Sequence, residues 1–416
     1  MMILPARSLV VRLKCALCVV TLLAVSAGVA NAALGGGPRE VTVLELSGTA
    51  YERGLTHGKR LHAEIGRVVV LWKQDLAEQA KTDPDTLVKN FLADTNYVPA
   101  IKKWTPDLLE EVRGIADGAG VPFDTMLAFQ LVDEVWVYLD RPVAKVSLDR
   151  AAANHCTSMG IIKAGAHPAY VAQNMDLEAF RDGYQVVLHI AATRTLPEQF
   201  VFTCAGLVGV NGVNNHSIAI ACNTLLQLTA CTDGLPVAFL LRGVLAQSSP
   251  EAAVKFMKEV KHASGQNYVL GTRDRVFDFE ASAGKVVEFR PAADGGFVYH
   301  TNHPLANDDI KPWHAEEVAL SARNGKPDGD SEVRLAAAQA RIRPPVSALN
   351  VETIKATLRS RDSSVYPVCR SVRASDRIST FGATIMTLSD TPSLEVSMGP
   401  PDVNPFVLLK FREVPR

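Results

Sequence analysis

One cysteine lies where the apolar periodicity of the sequence changes from helical to strand-like. Cys156, in the run His155-Cys156-Thr157-Ser158, follows about a hundred residues of helical periodicity and precedes an alternating, strand-like pattern. A thiol is strongly nucleophilic, but an ordinary pKa of about 8.5 leaves it mostly protonated near neutrality. If Cys156 is to attack a substrate, it therefore needs a base within hydrogen-bond reach.

Cleavage of the His155–Cys156 bond would supply that base, because the new α-amino group has an ordinary pKa of about 7.7–8.0 and is tethered beside the thiol. The segment from Asp140 to Asn154 interrupts the helical pattern and is typical of an exposed connector where chains are cut. We predict that Cys156 is both nucleophile and new N-terminus. The alternative is a small buried hydrophobe or a disulfide partner.

Three asparagines follow predicted strand ends or turns, where side chains of several strands meet at one rim. Asn174, Asn223 and Asn302 are therefore candidates for stabilising an oxyanion. Donors of this kind contribute about 3–4 kcal/mol each where they have been measured.

Other chemistries find less support. The sequence has no G-x-x-x-x-G-K-[ST], G-x-S-x-G or H-E-x-x-H motif. A metal site could start from His300-x-x-His303, with His314, Asp308 and Asp309 near in sequence, but a second clear ligand pair is missing. Solvated loop side chains explain these residues as well. We predict neither a metal nor a cofactor.

The composition and the N-terminal segment limit which partners and which location are expected. The 416 residues carry a formal net charge of −1, which gives no reason to expect nucleic acid as a partner. Basic residues precede an apolar run from Cys15 to Val29 that ends in Ala30-Asn31-Ala32, the pattern of a secretory signal peptide over residues 1–32. The run is short for a membrane anchor. The sequence predicts an exported protein, periplasmic or secreted, without a stable membrane anchor.

The elements that position Cys156 fall into two halves. Four or five helices are predicted between Leu61 and Leu139, and hairpin-linked strands alternate with helices from Cys156 onward. This order indicates an α+β fold with antiparallel sheets covered by helices. Before the helical half, Thr49 and Glu52 form a capping-box pattern, and His57 is better explained by packing or hydrogen bonding than as a catalytic base.

Several blocks, in order, resemble a known family. They are Gly48-Thr49-Ala50-Tyr51-Glu52-Arg53-Gly54, Asn154-His155-Cys156-Thr157-Ser158, Gln173-Asn174-Met175-Asp176, the run from Ser217 to Leu225, and Thr301-Asn302-His303. Together they resemble the acyl-coenzyme A:6-aminopenicillanic acid acyltransferase family of N-terminal nucleophile hydrolases. The resemblance implies a four-layer αββα sandwich and self-cleavage into a helical α fragment, residues 33–155, and a β fragment, residues 156–416.

The resemblance also implies roles for single residues. Cys156 is the nucleophile and N-terminal base, Asp176 orients its amine, and Asn223 and Asn302 line the oxyanion site. Gln173 stands where bile acid hydrolases carry an arginine, so that role does not transfer; Gln173 and Asn174 remain substrate-binding candidates. The family often has glycine where this chain has His155. The candidates for a late arginine at the site are Arg370, Arg373 and Arg377.

The predicted function is an exported, self-processed cysteine amidase. It would hydrolyse a non-peptide or small-peptide amide through an acyl-thioester on Cys156, with its own α fragment as a partner. The alternatives are acyl transfer to an amine, hydrolysis of N-acyl lipids, and a catalytically silent binding protein of the same fold. A further expectation is a strained disulfide between Cys204 and Cys222, which flank the turn at Gly212.

Overall fold

The computed structural model describes residues 39–140, 156–292, 296–316, 329–371 and 377–411. The predicted signal peptide, His155 and Arg373 lie outside these residues. From residue 39 onward the chain forms one compact unit. Among the described helices, none is both long and apolar enough to cross a bilayer.

The described residues before the cysteine form seven helices, one of which belongs to the capping-box segment. The remaining six stand where we predicted four or five, because Leu131 alone separates the last two. Their bounds are α1 Ala50–Arg60, α2 His62–Ala80, α3 Pro84–Asp94, α4 Val98–Trp104, α5 Pro106–Ala119, α6 Phe123–Gln130 and α7 Val132–Leu139. The capping box is confirmed, since the Thr49 side chain accepts from the Glu52 backbone and Glu52 reaches back to the Thr49 N–H.

Helices α1 and α5 cross at glycines. A Cβ on Gly54 would overlap the Glu111 carbonyl, and one on Gly58 would overlap the Ile115 carbonyl. His57 of α1 is fully buried, and its Nε2 accepts from the Gly206 N–H at 3.0 Å. Burial lowers the pKa of His57 to about 4, so it is a neutral packing residue.

This crossing gives a stability prediction. Gly54→Ala should lower the free energy of unfolding by about 3 kcal/mol, because its methyl group displaces the α5 backbone. Gly66→Ala is the matched control in α2, with no atom within 4 Å of its new Cβ. It should raise that free energy by about 0.8–1 kcal/mol through helix propensity. Urea unfolding measures both changes; equal effects of the two substitutions would contradict the close packing.

Fourteen strands are found in the described residues. Their bounds are β1 Val43–Leu46, β2 Thr157–Ile161, β3 Ala169–Glu178, β4 Gln185–Ile190, β5 Gln199–Cys204, β6 Asn211–Asn214, β7 Ala219–Thr224, β8 Gln266–Gly271, β9 Val276–Ala281, β10 Val286–Glu288, β11 Phe297–His300, β12 Ile378–Leu388, β13 Ser393–Ser397 and β14 Val407–Lys410. One sheet has the order β1-β4-β5-β6-β7-β8-β9-β10 and the other β11-β2-β3-β12-β13-β14. Strand β1 runs parallel to β4; the other neighbours are antiparallel.

The two sheets stack, with helices outside. Strands β2 and β3 contact β7 and β8 of the other sheet. Helix α8, Val237–Leu245, covers β6 and β7, and α9, Pro250–Glu259, packs on α8. On the opposite outer face lie α10, Asp330–Gln339, and α11, Val351–Leu358. The predicted α+β class and αββα layering are confirmed. Strand β1 comes before Cys156 in the chain and pairs with β4, which comes after it. The segments on both sides of Cys156 therefore share one core.

Candidate active site

Cys156 lies at the start of β2 with its sulfur turned between the sheets. Its side chain is buried, and Sγ is 3.2 Å from Met175 Sδ on β3. Cys156 lines a cavity whose wall also includes Cys222 of the other sheet, Trp136 of α7 and Leu241 of α8. The cavity is therefore built from both sheets and from helices of both halves.

The thiol is unreactive without a base. Burial and then the Asp176 carboxylate raise the pKa of Cys156 to about 12, although the Asp176 backbone hydrogen bond and the charge of Arg334 act in the opposite direction. At neutral pH the uncut chain thus holds a neutral thiol. A base placed next to it is needed before it can attack.

Asp176 lies close to Cys156, because its backbone N–H donates to the thiol and its carboxylate acts on the thiol pKa. Continuing the β2–β3 register past the pair Thr157–Asn174 brings Met175 opposite Cys156. Burial raises the pKa of Asp176 to about 6, against the lowering effect of Arg370. Arg370 Nε lies 3.2 Å from Asp176 Oδ2, and a hydrogen bond from the Thr380 hydroxyl also favours the charged carboxylate.

Strand β12 is irregular opposite this point. Its register with β3 shifts between Thr380 and Gly382, which face Asp176 and Met175. A bulge of this kind interrupts the regular ladder and re-aims nearby groups, and bulges are frequent next to active sites. The irregularity lies beside the two β3 residues that contact Cys156.

Arg334 of α10 connects Cys156 to Asn302. It is fully buried, and its Nη1 donates to the Cys156 carbonyl at 2.5 Å and to Thr157 Oγ1 at 3.0 Å. Nη2 donates to Asn302 Oδ1 at 3.0 Å, and Nε donates to Asp330 Oδ1 at 2.9 Å. We did not predict Arg334. The sequence feature that could have identified it is its place on the buried face of α10, together with Leu335 and Ala338.

The two predicted oxyanion asparagines join the ends of β7 and β11. Asn223 Nδ2 donates to the carbonyls of His300 and Thr301, at 2.9 and 3.0 Å. Asn302 Nδ2 donates to the Thr224 carbonyl at 3.1 Å. The structure thus places Asn302 in the Arg334 network with Cys156, whereas both N–H groups of Asn223 are used within the protein.

Gln173 and Asn174 point to opposite faces of β3. Gln173 Oε1 accepts from Asn211 at 2.8 Å. Asn174 Nδ2 donates to the Leu358 and Val368 carbonyls on the outer face, at 2.8 and 3.0 Å. The structure therefore does not bring Asn174 to the substrate side, because successive residues of a strand alternate between faces.

Two of the predicted late arginines, Arg370 and Arg377, lie in described residues and are far apart in role. Arg370 pairs with Asp176 and donates to both Asp330 oxygens, so it belongs to the network behind Cys156. Arg377 pairs with Asp75 and is largely exposed. Arg334, rather than these candidates, reaches the cysteine backbone.

His300 forms a buried charged cluster behind Asn223. Its Nε2 lies 2.8 Å from Glu280 Oε1. Burial lowers the pKa of His300, but the carboxylates of Asp278 and Glu280 outweigh burial and raise it overall. Across the described ranges, no three histidine, cysteine or acidic side chains are arranged to hold a metal ion.

Asp278 in this cluster gives a pH prediction. Burial raises its pKa from 3.8 to about 7, so the folded state binds this proton more tightly than the unfolded state does. The stability from this group is present below pH 3.8 and is lost as pH rises to about 7, at about 1.4 kcal/mol per pKa unit. Asp278→Asn should therefore gain stability over wild type across this window. Urea unfolding at several pH values tests this, with surface Asp390→Asn as control; a gain independent of pH would contradict it.

The expected disulfide between Cys204 and Cys222 is wrong in this structure. Both cysteines are free and buried. Cys204 pairs with Gln185 of β4, and Cys222 with Tyr268 of β8. Strand β6 lies between their strands, so they do not face each other across a hairpin.

Comparisons with known proteins agree with the resemblance. The profile of the acyl-coenzyme A:6-aminopenicillanic acid acyl-transferase family matches residues 163–399, more than half of the chain. The acyl-coenzyme A:6-aminopenicillanic-acid-acyltransferase 40 kDa form of Emericella nidulans is 26% identical over 261 residues, 62% of this chain and 68% of that protein. Protein dcd1A of Dictyostelium discoideum is 32% identical over 110 residues, 23% of this chain and only 25% of that protein.

Two solved structures are also similar. A mutant of the conjugated bile acid hydrolase from Clostridium perfringens has a TM-score of 0.37 and 12% identity, covering 62% of this chain and 97% of that one. Penicillin V acylase from Agrobacterium tumefaciens has a TM-score of 0.34 and 16% identity, covering 60% and 88%.

Proposed function

Because this chain belongs to the acyl-coenzyme A:6-aminopenicillanic acid acyl-transferase family, we propose that it is an enzyme that cleaves an amide bond through an acyl-thioester on Cys156. The observation that carries the proposal is the setting of this residue. Cys156 lines a cavity, its carbonyl accepts from buried Arg334, and its thiol lies close to the Asp176 carboxylate.

Self-cleavage before Cys156 makes the base that the thiol lacks. We place the freed α-amino group beside the Asp176 carboxylate, to which its N–H groups donate, because Asp176 is already close to Cys156. A buried carboxylate with a pKa near 6 is ionised at neutral pH and stabilises the protonated amine. Asp176 thus orients the amine, which takes the thiol proton. The α fragment stays bound, because β1 pairs with β4 in the shared core.

In turnover the Cys156 sulfur attacks the amide carbon while its proton passes to the α-amine. The tetrahedral oxyanion collapses, the C–N bond breaks, and the leaving amine takes the proton from the α-ammonium. Water then cleaves the thioester and releases the acid. We assign oxyanion stabilisation to Asn302; Asn223, whose two N–H groups are used, holds the ends of β7 and β11 together.

Hydrolysis and acyl transfer share this site up to the thioester. We propose that residues 1–32 direct export of the protein. Because an exported protein has little access to acyl-coenzyme A, we propose hydrolysis as the main reaction. Transfer to an amine is the second candidate, motivated by the fungal relative. Adding a small amine to the assay separates the two, because transfer yields the new amide in place of the free acid.

Trapping the acyl-enzyme tests the nucleophile. After acid quench of a reaction with an activated amide, mass spectrometry should find the acyl group on the peptide that contains Cys156. Cys222→Ala is the control, because Cys222 lines the same cavity from mid-strand, and this variant should still acquire the adduct. An adduct on Cys222, or on neither thiol while product forms, would refute the proposal.

A further inference from the structure

A second cavity is lined by a different face of helix α7. Asp133 and Trp136 of this helix line the cavity of Cys156, whereas Glu134 and Tyr138 line the second one. Successive residues of a helix are about 100° apart around its axis, so sequence neighbours reach different cavities. The second cavity has a volume of about 260 Å³, room for a small organic molecule. We call it the Glu134 cavity; its wall also includes Tyr97, Asp140, Lys311 and Trp313.

Glu134 brings a buried carboxyl group to this wall. It is 1% exposed, and its Oε1 accepts from the Val237 N–H at 3.1 Å and from the Ser264 hydroxyl at 2.9 Å. Its Oε2 accepts from no other residue in the part of the chain that the structure describes. A buried carboxylate oxygen without a donor is costly, so a further donor is expected at Oε2.

The charges around Glu134 favour a cation as that donor. Burial and then the Asp133 carboxylate raise the pKa of Glu134 to about 8, against the lowering effect of the bonds from Ser264, Val237 and its own backbone. Lys311 brings a positive charge to the same wall, but its Nζ donates to Asp140 Oδ2 at 3.1 Å. A cation that binds at Oε2 would oppose both effects that disfavour the charged form of Glu134.

Aromatic rings form a fixed apolar part of the wall. The ring centres of Tyr97 and Tyr138 lie 6.2 and 5.4 Å from that of Phe91. The Tyr97 hydroxyl donates to the Cys231 carbonyl at 3.2 Å, and the Tyr138 hydroxyl donates to Asp94 Oδ2 at 2.6 Å. These contacts hold both rings in place, so the cavity is preformed. Aromatic rings also attract organic cations through their faces.

We propose that the Glu134 cavity binds a primary ammonium ion with an apolar body. The N–H groups of the ion donate to Glu134 Oε2, and its body packs against the aromatic rings of the wall. A hydrogen bond between an ammonium and a carboxylate is about twice as strong as one between neutral groups. The proposal concerns binding alone and does not depend on the reaction at Cys156.

Two matched compounds test the proposal. 2-Phenylethylammonium and 2-phenylethanol share their ring and two-carbon chain, and differ in an ammonium or a hydroxyl group. Calorimetry with the purified full-length wild type at pH 8 should find at least tenfold tighter binding of the ammonium ion. Equal binding of the two compounds would overturn the proposal, because apolar burial alone would then explain it. Absence of binding by either compound at millimolar concentration would overturn it as well.

The affinity should also depend on pH. Glu134 must lose its proton to bind the ion, so the affinity for 2-phenylethylammonium should rise at least tenfold from pH 6 to pH 8. The affinity for 2-phenylethanol should stay constant. The Cys222 thiol of β7 and the Tyr268 hydroxyl of β8 are close enough to feel the charge of Glu134, but burial raises their pKa values, so they stay neutral over this range. An affinity for the ion that does not change with pH would contradict the role of Glu134.

Glu134→Gln removes the charge but keeps an oxygen for the Val237 and Ser264 donors. It should lower the affinity for the ammonium ion at least tenfold and leave that for the alcohol within about threefold. Glu251→Gln, in the exposed first turn of α9, is the matched control and should bind like wild type. Asp133→Asn, on the face of α7 that lines the Cys156 cavity, should bind the ion within about threefold of wild type.

An unchanged preference for the ammonium ion in Glu134→Gln would overturn the proposal. A tenfold loss in Asp133→Asn without a loss in Glu134→Gln would also overturn it, because the cation would then bind beside Cys156. If Glu134→Gln does not fold, as judged by its thermal transition, the wild-type preference and its pH dependence decide, and both must be present.

Discussion

Replacing Cys156 with alanine should reduce amide turnover by at least about 10⁴-fold, because the substitution removes the atom that forms the thioester. Cys156→Ser should retain a small activity, since the hydroxyl and the α-amine keep their places but oxygen is the weaker nucleophile under the same base. Both substitutions are small, and the surrounding contacts of β2 with β3 and β11 remain. The measurement is the initial rate on one anilide at equal concentrations of folded protein.

Cys231→Ala is the control for loss of a thiol as such. Cys231 is half-buried, donates to the His262 carbonyl, and is not part of the wall around Cys156. Its removal should leave turnover within about twofold of wild type, as is usual for a substitution away from the site. If Cys156→Ala retained wild-type turnover, the chemistry would have to reside elsewhere in the molecule.

Replacing Arg334 with methionine is expected to have the second-largest effect. The change removes the hydrogen bonds to the Cys156 carbonyl, Thr157 and Asn302 from a fully buried position. Unpaired buried acceptors should cost about 3 kcal/mol of unfolding free energy. Turnover should fall about 10²-fold, because Cys156 and Asn302 are no longer held together.

Arg334→Lys should recover little, because one ammonium cannot donate in the directions of a guanidinium fork. Arg341→Met is the control, since Arg341 pairs with Asp362 at the surface beyond the same helix. Rates and urea midpoints of the three variants measure the effect. A fully active Arg334→Met protein would show that this arginine supports the fold alone.

The alternation of apolar residues was enough to predict most of the β half, since strands buried on one or both faces are recognisable by period and length. Strand β6, Asn211–Asn214, is not recognisable from the sequence, because its asparagines and Gly212 are typical of turns and tertiary pairing overrides that local preference. Apolar periodicity also does not show the break between α6 and α7, because Leu131 alone separates them.

Residues near Cys156 in sequence were easier to place than distant ones. Asp176 lies on the strand paired with the cysteine, and Asn302 follows the strand on its other side, β11. Arg334 comes from a helix more than 170 residues away and carries no local motif, so only packing reveals it. Asn174 was assigned to the substrate although strand alternation turns it away from its neighbours Gln173 and Met175.

The central claim is that Cys156 becomes an N-terminus. Intact mass and N-terminal sequencing of purified wild type, beside Cys156→Ala, test it directly. We expect a wild-type fragment that starts at Cys156, held to its partner fragment, and an uncut Cys156→Ala chain. Wild type that turns over an amide while remaining one continuous chain through the His155–Cys156 bond would contradict it, because the α-amine base would never form.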